Sequence, residues 1–369
     1  MNIKKLKFIV EKFFINTELL HISMIDSGLI NKTYIVDHLY NDIRSKFVLQ
    51  KLSNIFDSYE VVNLNHKLIT DHINNKIKNN GFVLRGKRWE VPRLIRCEYN
   101  KQFGFTFESE FWRGIQYIDK TFNVDSLKDQ RMAFQAGIGL AKFHLICSDL
   151  DSSKLETNIK DFHNTRYYMD KYLITLNDYC FSKLGYKVKE RVKCLVNSLS
   201  YHIKFVDFIL MSLKKTSIDH NVIHGDPKLS NFLFDIKCKY VVSLIDLDTV
   251  YSGYLLTDLA DCIRSVCNLA GEEPAFKEHV SFDLNSCKLF LKGYFLISTI
   301  NKSFRLIPEF IYLIIFELTI RFLTDFLKSN RYFHVNYETH NLFRAEVQFR
   351  LLSSFLIQIP NLVNELDEI

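Results

Sequence analysis

VIHGDPKLSNFLFD, residues 222–235, followed by YVVSLIDLD, residues 240–248, is the stretch on which the reading of this chain turns. Two apolar, strand-like runs enclose a short polar loop, so Asp226, Lys228 and Asn231 share one loop while Asp246 stands at the end of the next strand. Transfer of a phosphoryl group from ATP requires a carboxylate beside the acceptor hydroxyl and oxygen ligands for magnesium beside the phosphates. Magnesium keeps several of its waters, so one amide oxygen and one carboxylate on neighbouring strands suffice to hold it. Asp226 is therefore the candidate acceptor of the hydroxyl proton, and Asn231 with Asp246 the candidate metal pair; Asp248 is the alternative ligand. Taken singly, these are a turn Asp, a capping Asn and a surface Asp. Their order in loop and strand-end context is what points to the chemistry.

Outward from that island the chain divides into two kinds of pattern. Upstream, a short helix near residues 3–15 precedes HISMID, KTYIVDH and KFVLQKL, which alternate around turns at Ser27-Gly28 and Tyr40-Asn41-Asp42 and so predict an antiparallel meander. Residues 57–78 carry Val61, Val62, Leu64, Leu68, Ile69 and Ile73 at helical spacing, and further strands are expected around Trp89–Arg96 and Glu110–Ile118. From about residue 126 long amphipathic helices take over, clearest at Ala133–His144, Thr165–Cys180 and Lys189–Lys214. The expectation is an α+β, bilobal, protein-kinase-like plan: a sheet-based lobe over 1–118 and a mostly helical lobe over 119–369.

Composition excludes several other classes. With 47% hydrophobic and 24% charged residues, and only 12 Gly and 5 Pro in 369, the chain is neither disordered nor low-complexity. The net charge of +6 is spread in short knots, unlike the concentrated patch of a nucleic-acid binder. Eight cysteines without a Cys-x-x-Cys pair fit neither a zinc site nor a disulfide scaffold. The apolar region Phe304–Leu327 is interrupted by Arg305, Glu309, Glu317, Arg321 and Asp325, which argues against a membrane span there. These features predict a cytoplasmic protein with reduced thiols and no membrane or nucleic-acid partner.

The string HGDPKLSNFLFD…LIDLDTVYSGYLLTDLADCIRS resembles the aminoglycoside phosphotransferase/choline kinase superfamily. SGLINKTYIV, FVLQKL, FWRGIQYID, DFHNT, IDLDTV and IRFLTD together are most similar to its N-acetylhexosamine 1-kinase-like members. The resemblance implies an ATP- and magnesium-dependent kinase of a small-molecule hydroxyl, most of all the anomeric hydroxyl of an N-acetylhexosamine or related sugar. Homoserine-, choline- and aminoglycoside-type acceptors are the alternatives, as is a catalytically silent nucleotide-binding module. It also implies that the arginine of the IRFLTD helix, Arg321, and the tyrosine after it, Tyr332, contact the sugar.

Two departures from the kinase pattern bear on the nucleotide. Only Gly28, in Ser27-Gly28-Leu29-Ile30-Asn31, remains of the glycine-rich loop that covers the phosphates; the alternative is an ordinary hairpin turn. The third strand should bring a lysine to the phosphates, paired with a helical Glu. Gln50 stands in that slot, Lys51 faces the other side of the strand, and Asn65 is expected near the place of the Glu. Positive charge must then come from elsewhere, with Lys228 the candidate unless it faces solvent. Backbone groups of Gln116 and Ile118 are expected to meet the adenine edge. The short interval between Asp246 and the helix around Asp258–Arg264 leaves no room for a protein-substrate activation segment, so the acceptor is expected to be small. For it, His163 in Asp161-Phe162-His163-Asn164-Thr165 and the helical series Glu317, Arg321, Asp325 are candidates; a buried ion network is the alternative for the series.

Overall fold

The computed structural model describes residues 3–25, 30–80, 88–218, 220–237, 240–298 and 302–367; the Ser27-Gly28 turn lies outside the described residues. Helix α1 (Ile3–Phe13) buries Leu6, Ile9, Val10 and Phe13, the one-sided spacing of an amphipathic helix, against Val36, Phe47, Leu49 and Trp112 of a sheet. That sheet consists of β1 (Glu18–Ile25), β2 (Lys32–Tyr40), β3 (Ile43–Lys51), β4 (Leu94–Ile95), β5 (Phe105–Phe107) and β6 (Glu110–Gln116). It is antiparallel throughout, in the order β1-β2-β3-β6-β4, with β5 also paired to β6. Asn41 and Asp42 turn β2 into β3 with φ of 49° and 61°, left-handed values that suit a tight hairpin and that Asn and Asp tolerate. The register places Gln50 opposite Thr33 on one side and Arg113 on the other.

Of the strand expected around Trp89–Arg96, only Leu94–Ile95 forms. Pro92 has no N–H to give a ladder, and the Glu90 N–H is drawn away to Val242 O at 2.9 Å, so this stretch leaves the sheet and ties it to the other half of the molecule. Helix α2 (Tyr59–Asn80) packs beside the same junction, and β7 (Thr121–Phe122) carries the chain across.

The helical part comprises α3 (Arg131–Cys147), α4 (Thr165–Asp178), α5 (Tyr186–Leu213), α6 (Leu255–Val266), α7 (Leu284–Phe295), α8 (Ile307–Leu327) and α9 (His340–Asp367). Between α5 and α6 lie β8 (His220–Ile223), β9 (Phe232–Asp235), β10 (Val241–Leu244) and β11 (Tyr251–Tyr254), forming a β10-β9-β7 sheet and a β11-β8 ribbon. Helices α3 and α7 cross at Gly137 and Gly293, where an added Cβ would stand 2.0 Å from the carbonyl oxygens of Phe290 and Phe134 respectively. Helix α8 is buried almost all round, and of its charged residues Glu317 and Asp325 are buried while Glu309 and Arg321 are partly so. Among the described residues, α5 is the one helix long and apolar enough to cross a membrane by length and composition; it buries Val192, Leu195, Leu199, Val206 and Ile209 and leaves Tyr201, Phe208 and Met211 exposed.

Candidate active site

The loop after β8 is held from behind. Asp258 on α6 accepts the His224 N–H at 2.6 Å and the Gly225 N–H at 2.8 Å, and its Oδ2 also meets His144 Nε2 at 2.9 Å. Burial alone would raise the Asp258 pKa, but His144 and these N–H donors hold it below the usual carboxylate range. His224 is itself fully buried and kept neutral by that burial: its Nε2 donates to Ile245 O at 3.0 Å and its Nδ1 accepts the Asp226 N–H at 3.3 Å. Gly225 adopts φ +83°, and a Cβ there would lie 2.3 Å from Thr249 O. Only glycine permits both the left-handed turn and that approach. His163 completes the enclosure, its Nε2 donating to Gly225 O at 2.7 Å.

So fixed, the loop presents its side chains to a cavity of about 220 Å³ between the sheet and the helical part, lined among others by Asn31, Gln50, Gln116, Ile118, Asp226, Lys228, Asn231 and Asp246. Lys228 Nζ lies 3.0 Å from Asp226 Oδ2 and is largely buried, which excludes the solvent-facing alternative. Burial disfavours its charge, yet Asp226, Glu272 and Asp246 more than offset this and raise its pKa. Asn231 donates Nδ2 to Asp226 O at 2.8 Å, which fixes the amide and leaves Oδ1 without a protein partner among the described residues. Asp246 sits in the left-handed region (φ 65°, ψ 55°) at the end of β10. Burial, with Asp248 and Asp226 nearby, pushes its pKa up to about 7. An unused amide oxygen and a carboxylate crowded by like charge form an oxygen donor set that suits a hard divalent cation.

Asp248, the alternative ligand, points away. Its Oδ1 accepts Arg113 Nη2 at 2.5 Å with His66 Nδ1 at 3.9 Å, and its Oδ2 accepts Asn31 Nδ2 at 2.8 Å. Burial would raise the carboxyl, but Arg113 and His66 hold it far below the carboxylate range. Asn31 is thereby a strut: its Oδ1 takes the Ser53 N–H at 3.0 Å, so both ends of the amide are engaged by protein.

The strand register is as period-two alternation requires. Gln50 lines the cavity, whereas Lys51 Nζ reaches Glu110 Oε1 at 2.8 Å on the other side. Asn65, however, does not approach Gln50: its side chain bonds the backbone of Glu156 at 2.7 and 3.3 Å. Gln50 instead meets Arg113 of β6, whose Nε and Nη2 donate to Gln50 Oε1 at 3.1 and 2.7 Å. The sequence signal for Arg113, within FWRGIQYID, is an arginine inside an otherwise apolar strand. Asp258, in LLTDLADC, gives no such signal, because nothing local marks it as the brace of a loop 33 residues upstream. At the crossing segment, the Gln116 N–H is already donated to Arg93 O at 2.8 Å, so Gln116 can offer an adenine edge only its carbonyl; the Ile118 N–H makes no backbone bond among the described residues.

On the far side of the loop, His163 Nδ1 lies 3.3 Å from Glu317 Oε1, and Thr165 Oγ1 donates to Glu317 Oε2 at 2.8 Å. Burial lowers the His163 pKa, but Glu317 reverses this and the net shift is upward. Asn164 caps α4 by accepting the Tyr167 N–H. Arg321 Nη1 reaches Glu317 at 3.4 Å, and its guanidinium packs over Phe162, Tyr168, Tyr332 and Phe333 at 4.6–5.9 Å from the ring centres. Asp325 leaves the expected series: it accepts the N–H groups of Arg331, Tyr332 and Phe333 and Asn341 Nδ2, which anchors the loop bearing Tyr332. His163, Arg321 and Tyr332 thus come together, but they do not line the cavity that holds Asp226.

A carboxylate loop braced by a helical Asp, beneath an antiparallel sheet, defines a kinase-like phosphotransfer fold. Residues 90–278 match the phosphotransferase enzyme family, APH, and the chain belongs to that family. Solved structures agree in fold at low identity. A spectinomycin phosphotransferase with ADP and spectinomycin bound matches at TM-score 0.65 and 14% identity, covering 98% of each chain. An amicoumacin kinase with AMP-PNP, Ca2+ and its antibiotic matches at 0.60 and 12%, over 95% of this chain and 94% of that one. The choline kinase of Cryptosporidium parvum Iowa II matches at 0.58 and 14%, over 98% and 96%. The protein is a phosphotransferase of the APH family.

Proposed function

We propose that the chain transfers the γ-phosphoryl group of ATP to the anomeric hydroxyl of an N-acetylhexosamine or related sugar. Asp226 takes the hydroxyl proton on its carboxylate, with Lys228 holding that carboxylate at 3.0 Å and facing the transferred group. Asn231 Oδ1 and Asp246 would hold magnesium, which when bound neutralises charge on the phosphate oxygens. Gln50 faces the phosphates, and the carbonyl of Gln116 and the N–H of Ile118 face the base.

The observation that carries the acceptor reading is the setting of Arg321. Four aromatic rings surround its guanidinium, with Glu317 as its acidic partner. Such a ring box is what recognises a quaternary or protonated amine, and here the chain's own cation fills it. With the box already filled, the cluster offers no place to a choline or aminoglycoside ammonium and suits a neutral polyol held by the rigid Arg321 with Tyr332 beside it; His163, engaged by Gly225 O and Glu317, joins this cluster to the Asp226 loop. ATP consumption measured across N-acetylglucosamine, N-acetylgalactosamine, choline, homoserine and aminoglycosides tests it. The N-acetylhexosamines are expected to stimulate turnover; stimulation by choline or an aminoglycoside alone contradicts the sugar assignment. Arg321→Ala is expected to raise the KM for sugar several-fold while leaving that for ATP unchanged. A lowered melting temperature with a normal sugar KM would make Arg321 a structural ion-pair partner of Glu317 only.

A further inference from the structure

We propose that Arg113 acts through Gln50, orienting its amide so that an N–H donor grips the nucleotide phosphates where a strand lysine would otherwise reach them. The inference rests on the nucleotide reading of the cavity. A guanidinium has donors and no acceptor, so the Gln50 atom that receives both Arg113 Nε and Nη2 must be the amide oxygen. This turns the Gln50 NH₂ away from Arg113. One of its hydrogens goes to Thr33 Oγ1 at 3.1 Å, and the other has no partner among the described residues, on a side chain that lines the cavity. Arg113 itself is fully buried and absent from the lining. Its charge is shared with Asp248 at 2.5 Å, so the cavity meets an oriented and polarised dipole in place of a bare cation.

The register makes the arrangement self-consistent. Gln50 and Arg113 are direct cross-strand partners on β3 and β6, and a lysine at position 50 would set two buried cations against each other. Asp248 prevents Arg113 from standing as an uncompensated charge, and through Asn31 the same carboxylate reaches the segment preceding β2. Arg113 is therefore a positioning residue, acting on the phosphates through the amide that it orients.

The test is a double-mutant cycle with Gln50→Met and Arg113→Lys, read by calorimetric binding of ADP and of adenosine, which lacks phosphates. Gln50→Met removes the donor without adding charge and leaves the Arg113–Asp248 pair in place. Arg113→Lys keeps a cation for Asp248 but loses the paired grip on Gln50. Gln50→Met is expected to weaken ADP binding by roughly 10- to 100-fold, the range for a hydrogen bond to a charged group, with adenosine unaffected. Arg113→Lys is expected to weaken ADP in the presence of Gln50 and to have no further effect beside Gln50→Met. Unchanged ADP binding in Gln50→Met, equal losses for ADP and adenosine, or additive effects of the two substitutions would each overturn the inference. Failure of the wild-type chain to bind either ligand would instead remove the nucleotide reading on which it stands.

Discussion

The two walls of the candidate active-site cavity place their charges at different depths. The loop wall keeps charge on the lining itself: Asp226, Lys228 and Asp246 face the cavity, and the buried Asp258 only holds the loop in place from behind. The sheet wall does the opposite, with a neutral Gln50 on the lining and the cation, Arg113, one layer back and already paired with Asp248. Groups that exchange a proton or ligate a metal must touch the reacting atoms, so they cannot retreat. A group that only orients phosphate can act through an intermediate dipole. The contrast gives each wall a different expected response to substitution.

The largest effect is expected on the loop wall. Asp246→Ala should reduce magnesium-dependent turnover to background and weaken ATP binding more in magnesium than in its absence; equal weakening in the two conditions would make Asp246 a structural residue. Asp226→Asn should lower kcat by roughly 10²–10⁴-fold while nucleotide affinity stays near wild type, the contribution typical of a positioned general base. Full turnover in the folded variant would remove Asp226 from the chemistry.

How far the sequence reached follows the same division. That Asp226, Lys228 and Asn231 share one cavity wall is legible because they sit on one short loop between two strands, and Asp246 joins them because it ends the neighbouring strand; their roles remain the proposed ones. The α+β plan was legible from alternation giving way to helical spacing, and the hairpin at Asn41-Asp42 from residues that accept a left-handed backbone. Arg113 and Asp258 were not, since their partners Gln50 and Gly225 are 63 and 33 residues away and meet them only after folding. The same blindness misplaced Asn65, whose side chain faces Glu156, and left Asp248 as a candidate ligand when Arg113 and Asn31 claim its two oxygens. Helical spacing also overextended the series at α8, where Asp325 turns to the following loop because three backbone N–H groups converge there.

A smaller effect sharpens the contrast between lysines. Lys228→Ala should cost activity by roughly 10²-fold, as for loss of a donor at developing charge, and Lys51→Ala little, because Lys51 is spent on Glu110 outside the cavity. The reverse order in measured kcat would show that the sheet wall carries its own lining cation.

The smallest effect concerns His163, beside Glu317, Asp261 and Arg321, whose pKa lies above its ordinary 6.5. A raised folded value means the protonated form stabilises the protein; that contribution is complete below the unfolded pKa and is lost as pH rises through the folded one. The melting-temperature gap between wild type and His163→Gln should therefore be widest near pH 6 and narrow toward pH 9. A gap that widens with pH would show that His163 is held neutral.

The most direct measurement is ³¹P NMR of the wild-type protein incubated with ATP, magnesium and N-acetylglucosamine or N-acetylgalactosamine. The account requires ADP to accumulate with an equal amount of a new phosphomonoester whose phosphorus couples to the anomeric proton. ADP accompanied only by inorganic phosphate, or a phosphomonoester coupled to another position of the ring, would contradict it.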